Sequence, residues 1–208
     1  NELFQYRFND GSFEGMSLGN LVIAAAAEME GSFERGIRMV SKLLNIRGKV
    51  LPATVTDCHV CARLADGTTV RGEVNVRDLK TAAIDSVFLD PPDCEALPEA
   101  TREIKGADVI VLGPGSLYTS VIPNLLVPGI RDAIEESDAT VCYVCNVVTQ
   151  PGQTDGYTAE DHYSAVEEHL GEDVVDCMLL NTTRPKDEVM ERYRRDGAEF
   201  IEPGWGPD

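Results

Sequence analysis

The stretch Gly113-Pro114-Gly115-Ser116-Leu117-Tyr118-Thr119-Ser120 is the part of this chain best suited to hold a phosphate group. Its glycines let the backbone approach a ligand closely, and the hydroxyls of Ser116, Thr119 and Ser120 can donate hydrogen bonds to phosphate oxygens. The competing reading is a plain glycine turn. No Gly-Lys-Ser/Thr follows, so this is not a Walker loop, and the glycine spacing is not that of the dinucleotide fingerprint. A second polar stretch, Cys145 to Thr158, carries Asn146, Thr149 and Asp155, which can meet a base, a sugar or a metal-bound phosphate. Their competing role is capping: either Asp155 or Thr158 can start the helix that follows, with Asp161 completing a capping box. Ser17 reads as the cap of the first helix, and Asn20, just after Gly19, either orients a bound group or satisfies the backbone of that helix start. His162 and His169 read as surface histidines, and Arg47 with Lys49 makes a small basic spot suited to an anion or a salt bridge.

The six cysteines include two Cys-x-x-Cys pairs, Cys58 with Cys61 and Cys142 with Cys145. Zinc would need a turn between the members of each pair. Both pairs lie instead in alternating, β-branched runs, where residues three apart point to opposite faces of a sheet. They are read as buried strand thiols, with Cys94 and Cys177 as ordinary cysteines, and no metal ligand set is assigned.

The elements that must position these groups follow from periodicity and punctuation. Asn20 to Leu44 reads as two helices broken at Gly31, with Ser32 as the second N-cap. Val50 to Leu64, Asp66-Gly67 and Thr68 to Val76 read as strand, tight turn and strand, and Val87 to Leu89 as a further short strand. From Leu97 the order is helix (Leu97 to Ile104), strand (Asp108 to Leu112), glycine-rich loop and helix (Leu126 to Glu136). Strand (Thr140 to Val148), polar loop, helix (Thr158 to Leu170), strand (Val174 to Asn181) and helix (Pro185 to Asp196) complete it. Such βα alternation predicts an α/β fold, a three-layer α/β/α Rossmann-like arrangement on one mainly parallel sheet. A single domain over 1–208 is expected, with 50–90 as a small antiparallel hairpin insertion. The crevice should lie beyond the C-terminal strand ends, where the loops after Leu112, Cys145 and Asn181 emerge.

Composition narrows the function classes. Of the 208 residues, 36 are acidic and 18 basic, for a net charge of -18, and 43% are hydrophobic. A chain this apolar and this long can bury a core, while its acidic excess repels a nucleic acid backbone. The apolar run Leu21 to Ala27, bounded by Asn20 and Glu28, is too short for a membrane span or a signal peptide, so a cytoplasmic location is expected. The chain opens at Asn1 inside a patterned segment, as a piece of a longer protein would.

Gly15 to Ala25, Leu43 to Thr54, Leu112 to Gly129 and Asn146 to Asp161 resemble the gluconeogenesis factors, a family related to the 2-phospho-L-lactate transferases of deazaflavin cofactor biosynthesis. The resemblance extends over nearly the whole chain, and Leu112 to Gly129 carries it most specifically. It implies a Rossmann-like protein that binds a nucleotide ligand, a UDP-sugar, and supports gluconeogenic growth and cell-shape and envelope homeostasis. On the transferase branch it implies a magnesium-dependent enzyme that transfers a phospholactyl group from a nucleotide-activated donor. Thr149 to Thr158 favours the first branch. By the same likeness Tyr193 belongs to the nucleotide-sugar site, beside the ligand-contact candidates Asn20, Gly113, Gly115, Ser116, Thr119, Ser120, Asn146, Thr149 and Asp155. The family's glycine-rich N-terminal strand is expected to be absent, as is the segment after Asp208, with the exposed sheet edge covered by self-association into a homo-oligomer.

Overall fold

After the single turn α1 (Glu2–Gln5), two serines each cap a helix, as their sequence context predicts. Ser17 accepts from the Asn20 amide at the start of α2 (Leu18–Glu30), and Ser32 accepts from the Arg35 amide at the start of α3 (Phe33–Leu43). Each hydroxyl satisfies one of the first-turn amides that a helix leaves without an internal partner. Gly36 of α3 lies against the backbone of α2 at Ala26 and Ala27, so small residues on both helices set how closely they approach. This helical hairpin dominates the first of two compact units in the computed structural model, Asn1–Val55 and Thr56–Asp208. The structure describes residues 2–79 and 83–204.

The second unit holds two three-stranded sheets among its described residues, not the single sheet expected. In the antiparallel sheet, β1 (His59–Leu64) lies between β2 (Thr69–Arg71) and β3 (Ile84–Asp90). The Asp66-Gly67 turn closes the β1–β2 hairpin, and the Asp66 carboxylate accepts the Thr68 amide at 2.8 Å. That bond holds the Asp66 carboxyl below its ordinary range. The expected second strand is cut short because Gly72 (φ +96°) turns the chain into a helix, α4 (Glu73–Arg77). Residues 80–82 of the expected insertion lie outside the described residues.

Helix α5 (Pro98–Lys105) then leads to the parallel sheet, in which β5 (Thr140–Val144) lies between β4 (Val109–Leu112) and β6 (Cys177–Leu179). Between β4 and β5 run a π-helical turn (Leu117–Val121), α6 (Ile122–Leu125) and α7 (Ile130–Glu135). Helix α8 (Ala159–Leu170) connects β5 to β6, and α9 (Asp187–Arg195) follows β6. Alternation along the strands separates two faces. Leu112, Val141 and Tyr143 are buried on one, whereas Val109, Val111 and Leu179 on the other are 56%, 55% and 59% exposed. The three-layer, single-sheet expectation is therefore corrected. The hairpin strands form a sheet of their own with β3, and α6 packs against both β3 and α8 to link that sheet to the helical layer. Leu117, Ile122, Val166 and Leu170 are fully buried in this layer. Among the described residues no helix is long and apolar enough to cross a membrane.

Candidate functional site

The two polar loops emerge side by side, because β4 and β5 are parallel neighbours in register from Val109↔Thr140 to Leu112↔Tyr143. Gly113 leaves β4 with φ +89°, and a Cβ placed there would lie 3.0 Å from the carbonyl oxygen of Val144 on β5. Gly115 is similarly enclosed, since its Cβ would meet that of Ser120 at 3.3 Å. Ser116 ends the loop earlier than its composition suggests. Its carbonyl accepts the Ser120 and Val121 amides, both at 2.9 Å, and the chain is helical from Leu117 onward. Thr119 is consequently buried within the π turn, while Ser120 stays exposed.

The second loop is laced to the first. The Asn146 side-chain amide donates to the Gly115 carbonyl at 2.9 Å, and that of Gln150 donates to the Ser116 hydroxyl. Gln150 was not a candidate by sequence. Its value comes from the turn in which its own amide donates to Thr154 Oγ1 and its carbonyl accepts the Gln153 and Thr154 amides. The Oε1 atoms of Gln150 and Gln153 are buried without a partner among the described residues. Each is a buried acceptor that the described residues leave unpaired.

Gly113, Gly115, Ser116, Thr119, Ser120 and Asn146 are thus brought together at one strand edge. Thr149 and Asp155 sit on the second loop but are committed to shaping it. The Thr149 hydroxyl accepts the Glu199 amide at 2.9 Å, and the Asp155 carboxylate accepts the Gly152 amide at 2.6 Å. Thr158, not Asp155, caps α8, and its capping box with Asp161 is complete. Tyr193 lies on α9 with 43% of its surface exposed. Asn20 belongs to the first unit, in the first turn of α2, where its backbone amide donates to Ser17. Asp155 brings no carboxylate cluster with it, and among the described residues no group of three or more His, Cys, Asp or Glu is placed to hold a metal. The donor set here does not fit a protein-held magnesium ion.

Behind the loops, Tyr118 and Tyr157 share a hydroxyl hydrogen bond at 2.8 Å, and the Tyr157 ring meets His162 edge-on at 5.5 Å. Burial, then the bond to Tyr157, drives the Tyr118 phenol well above its ordinary pKa. The expectation of a surface histidine fails at His162, which is 0% exposed. Ala159, Val166 and Leu170 share its buried face of α8, a helical stripe that was readable from spacing. Its Nδ1–H donates to the Thr158 carbonyl at 2.8 Å, while Nε2 is buried without a partner among the described residues. Desolvation lowers the His162 pKa, outweighing the Thr158 bond and Asp161.

A pH dependence follows from that shift. The unfolded chain takes up this proton near pH 6.5 while the folded chain resists it, so stability is full above that pH and falls as pH drops toward the folded pKa. For a single proton the slope is bounded at about 1.4 kcal/mol per pH unit. Urea unfolding between about pH 7 and pH 5 measures it. His162→Gln should flatten the slope, and an equally steep slope in that variant would remove the assignment.

Beside the first loop lies a hollow of about 410 Å³, lined mainly by apolar side chains such as Ile104, Ile110, Ile130 and Ile134, with Gly113, Ser120 and Asn124 also at its wall. Its mainly apolar lining does not suit a phosphate group.

These features define a class: an α/β protein with an enclosed glycine turn at the C-terminal edge of parallel strands, tied to a second polar loop. A family model described as 2-phospho-L-lactate transferase CofD matches residues 1–204. The chain is 48% identical over 201 residues to the gluconeogenesis factor of Halalkalibacterium halodurans, covering 96% of this chain and 62% of that protein. It is 43% identical over 202 residues to the gluconeogenesis factor of Bacillus subtilis, covering 97% and 63%. A crystal structure of an upf0052-family protein from Bacillus halodurans matches with a TM-score of 0.90 at 48% identity, covering 97% of this chain and 65% of that one. The chain belongs to the family of gluconeogenesis factors and CofD-type proteins.

The family match begins at residue 1, which overturns the expectation that the N-terminal part of the family fold is absent. The residues up to Val55 form a unit built on α2 and α3, the two helices expected from Asn20 to Leu44. The chain spans 62% and 63% of the length of these two gluconeogenesis factors.

Proposed function

We propose that this chain carries the nucleotide-binding site of a cytoplasmic regulatory protein whose ligand is a UDP-sugar. In this reading the diphosphate rests on the Gly113–Ser116 turn, and occupancy is linked to gluconeogenic growth and cell-shape homeostasis. The observation that carries it is the pair of bonds from Asn146 to Gly115 and from Gln150 to Ser116. They hold a turn whose two glycines leave little room for a Cβ at the mouth of parallel strands, where open α/β sheets take their ligands. The names of the Halalkalibacterium and Bacillus relatives support the gluconeogenic link. Sugar hydroxyls and a uracil N–H would supply the donors that amide oxygens such as those of Gln150 and Gln153 accept.

A second reading, a transferase acting on a nucleotide-activated donor, is favoured by the description of the matching family model. There the loop amides and hydroxyls would stabilise developing phosphate charge. Calorimetric titration with UDP-N-acetylglucosamine, GDP and GTP separates the two. Sugar-nucleotide binding without turnover is expected, and at least tenfold weaker binding is expected for Gly115→Val, which fills the space beside Ser120. Absence of sugar-nucleotide binding would sink the first reading. Nucleotide release in the presence of an acceptor and Mg²⁺ would establish the second.

A further inference from the structure

The cysteines that the site does not use are paired in space in a way their sequence spacing conceals. Cys142 and Cys177 are direct Cα partners on the parallel strands β5 and β6. Neighbouring strands run about 4.8 Å apart, and in-register side chains leave a sheet on the same face. That separation falls inside the roughly 4.4–6.8 Å over which disulfides join two Cα atoms. The neighbouring Cys142 side chain pushes the Cys177 thiol above its ordinary pKa. Cys177 is exposed and Cys142 is buried beside it. Cys145, by contrast, points to the other face, where burial pushes its thiol up to about 11.

We propose that Cys142 and Cys177 form a reversible disulfide by exchange with a small-molecule disulfide such as oxidised glutathione. The exposed Cys177 thiolate attacks one sulfur of the small disulfide, forming a mixed disulfide and releasing the first small thiol. Cys142 then loses its proton and attacks the Cys177 sulfur, closing the cross-strand bond and releasing the second small thiol. The chain gives up two electrons and two protons, and one small disulfide becomes two small thiols. The product ties β6 to β5, the strands that lead to Asn181 and Asn146. Because the thiolate is the attacking species and the Cys142 contact disfavours it, exchange should quicken as pH rises. None of this rests on the nucleotide reading.

The test is to incubate the intact chain with glutathione mixtures of increasing oxidised fraction, alkylate it under denaturing conditions and map its peptides. The expected result is loss of two alkylatable thiols, a peptide containing Cys142 joined to one containing Cys177, and recovery of both thiols with dithiothreitol. Cys142→Ser should stop at the glutathione adduct on Cys177. An unchanged thiol count, a stable adduct on Cys177 in the unsubstituted chain, or a bond joining Cys58 to Cys94 instead would overturn the proposal.

Discussion

Replacing Gly113 with alanine is expected to lower the unfolding free energy by about 3 kcal/mol and to abolish ligand binding at the loop. Two costs combine. At φ +89° an L-residue is strained, and its Cβ would sit 3.0 Å from the Val144 carbonyl oxygen. Neither partner can yield cheaply. Gly113 directly follows β4, and Val144 ends the central strand β5, so relief requires moving one strand end away from the other. That movement also displaces Gly115, and with it the bond from Asn146. Urea unfolding gives the stability change, and titration with UDP-N-acetylglucosamine gives the binding change. Wild-type stability in Gly113→Ala would mean that the turn is not held against β5.

Gly36→Ala should be similarly costly in the helical hairpin, with a sign opposite to that of helix propensity. In an exposed helix interior the exchange of glycine for alanine stabilises by about 1 kcal/mol. Here the new Cβ would lie 2.5 Å from the amide nitrogen and 2.6 Å from the Cα of Ala27 on α2. These are backbone atoms of a helix, with no rotamer to move aside. Overpacking of this kind costs about 1–3 kcal/mol and sometimes more, so a net loss of about 2 kcal/mol is expected. Loss of helical circular dichroism at a lower temperature would report it. A stabilised Gly36→Ala variant would contradict the packing of α2 on α3.

Local chemistry was legible wherever it decides structure alone. Ser17, Ser32 and the Thr158–Asp161 capping box start their helices where their side chains can satisfy first-turn amides, and β4 and α8 fall close to their expected bounds. Bonds made across the chain were not legible. β5 stops at Val144 because the loop beyond it pairs with a distant segment. The Thr149 amide donates to the Glu199 carbonyl, and the Ile201 amide donates to the Val147 carbonyl. Nothing near Thr149 in sequence announces that partner. The β-branched run after Gly72 looked like strand, but that glycine redirects the backbone into α4.

The candidate site was legible in the same proportion. Glycines and hydroxyls at a strand end pointed to Gly113, Gly115 and Ser116 by composition alone. Gln150 escaped because its importance lies in a 34-residue reach to Ser116. The packing of one Cys-x-x-Cys member against a cysteine of another strand was equally invisible, since periodicity gives the face of a residue but not its neighbour across the ladder.

The central claim is that a sugar nucleotide occupies the paired loops. Hydrogen–deuterium exchange of the chain with and without saturating UDP-N-acetylglucosamine tests it most directly. The account predicts slowed exchange confined to the amides of residues 113–121 and 145–157. Exchange unchanged across both loops, or protection confined to the α2–α3 hairpin, would contradict it.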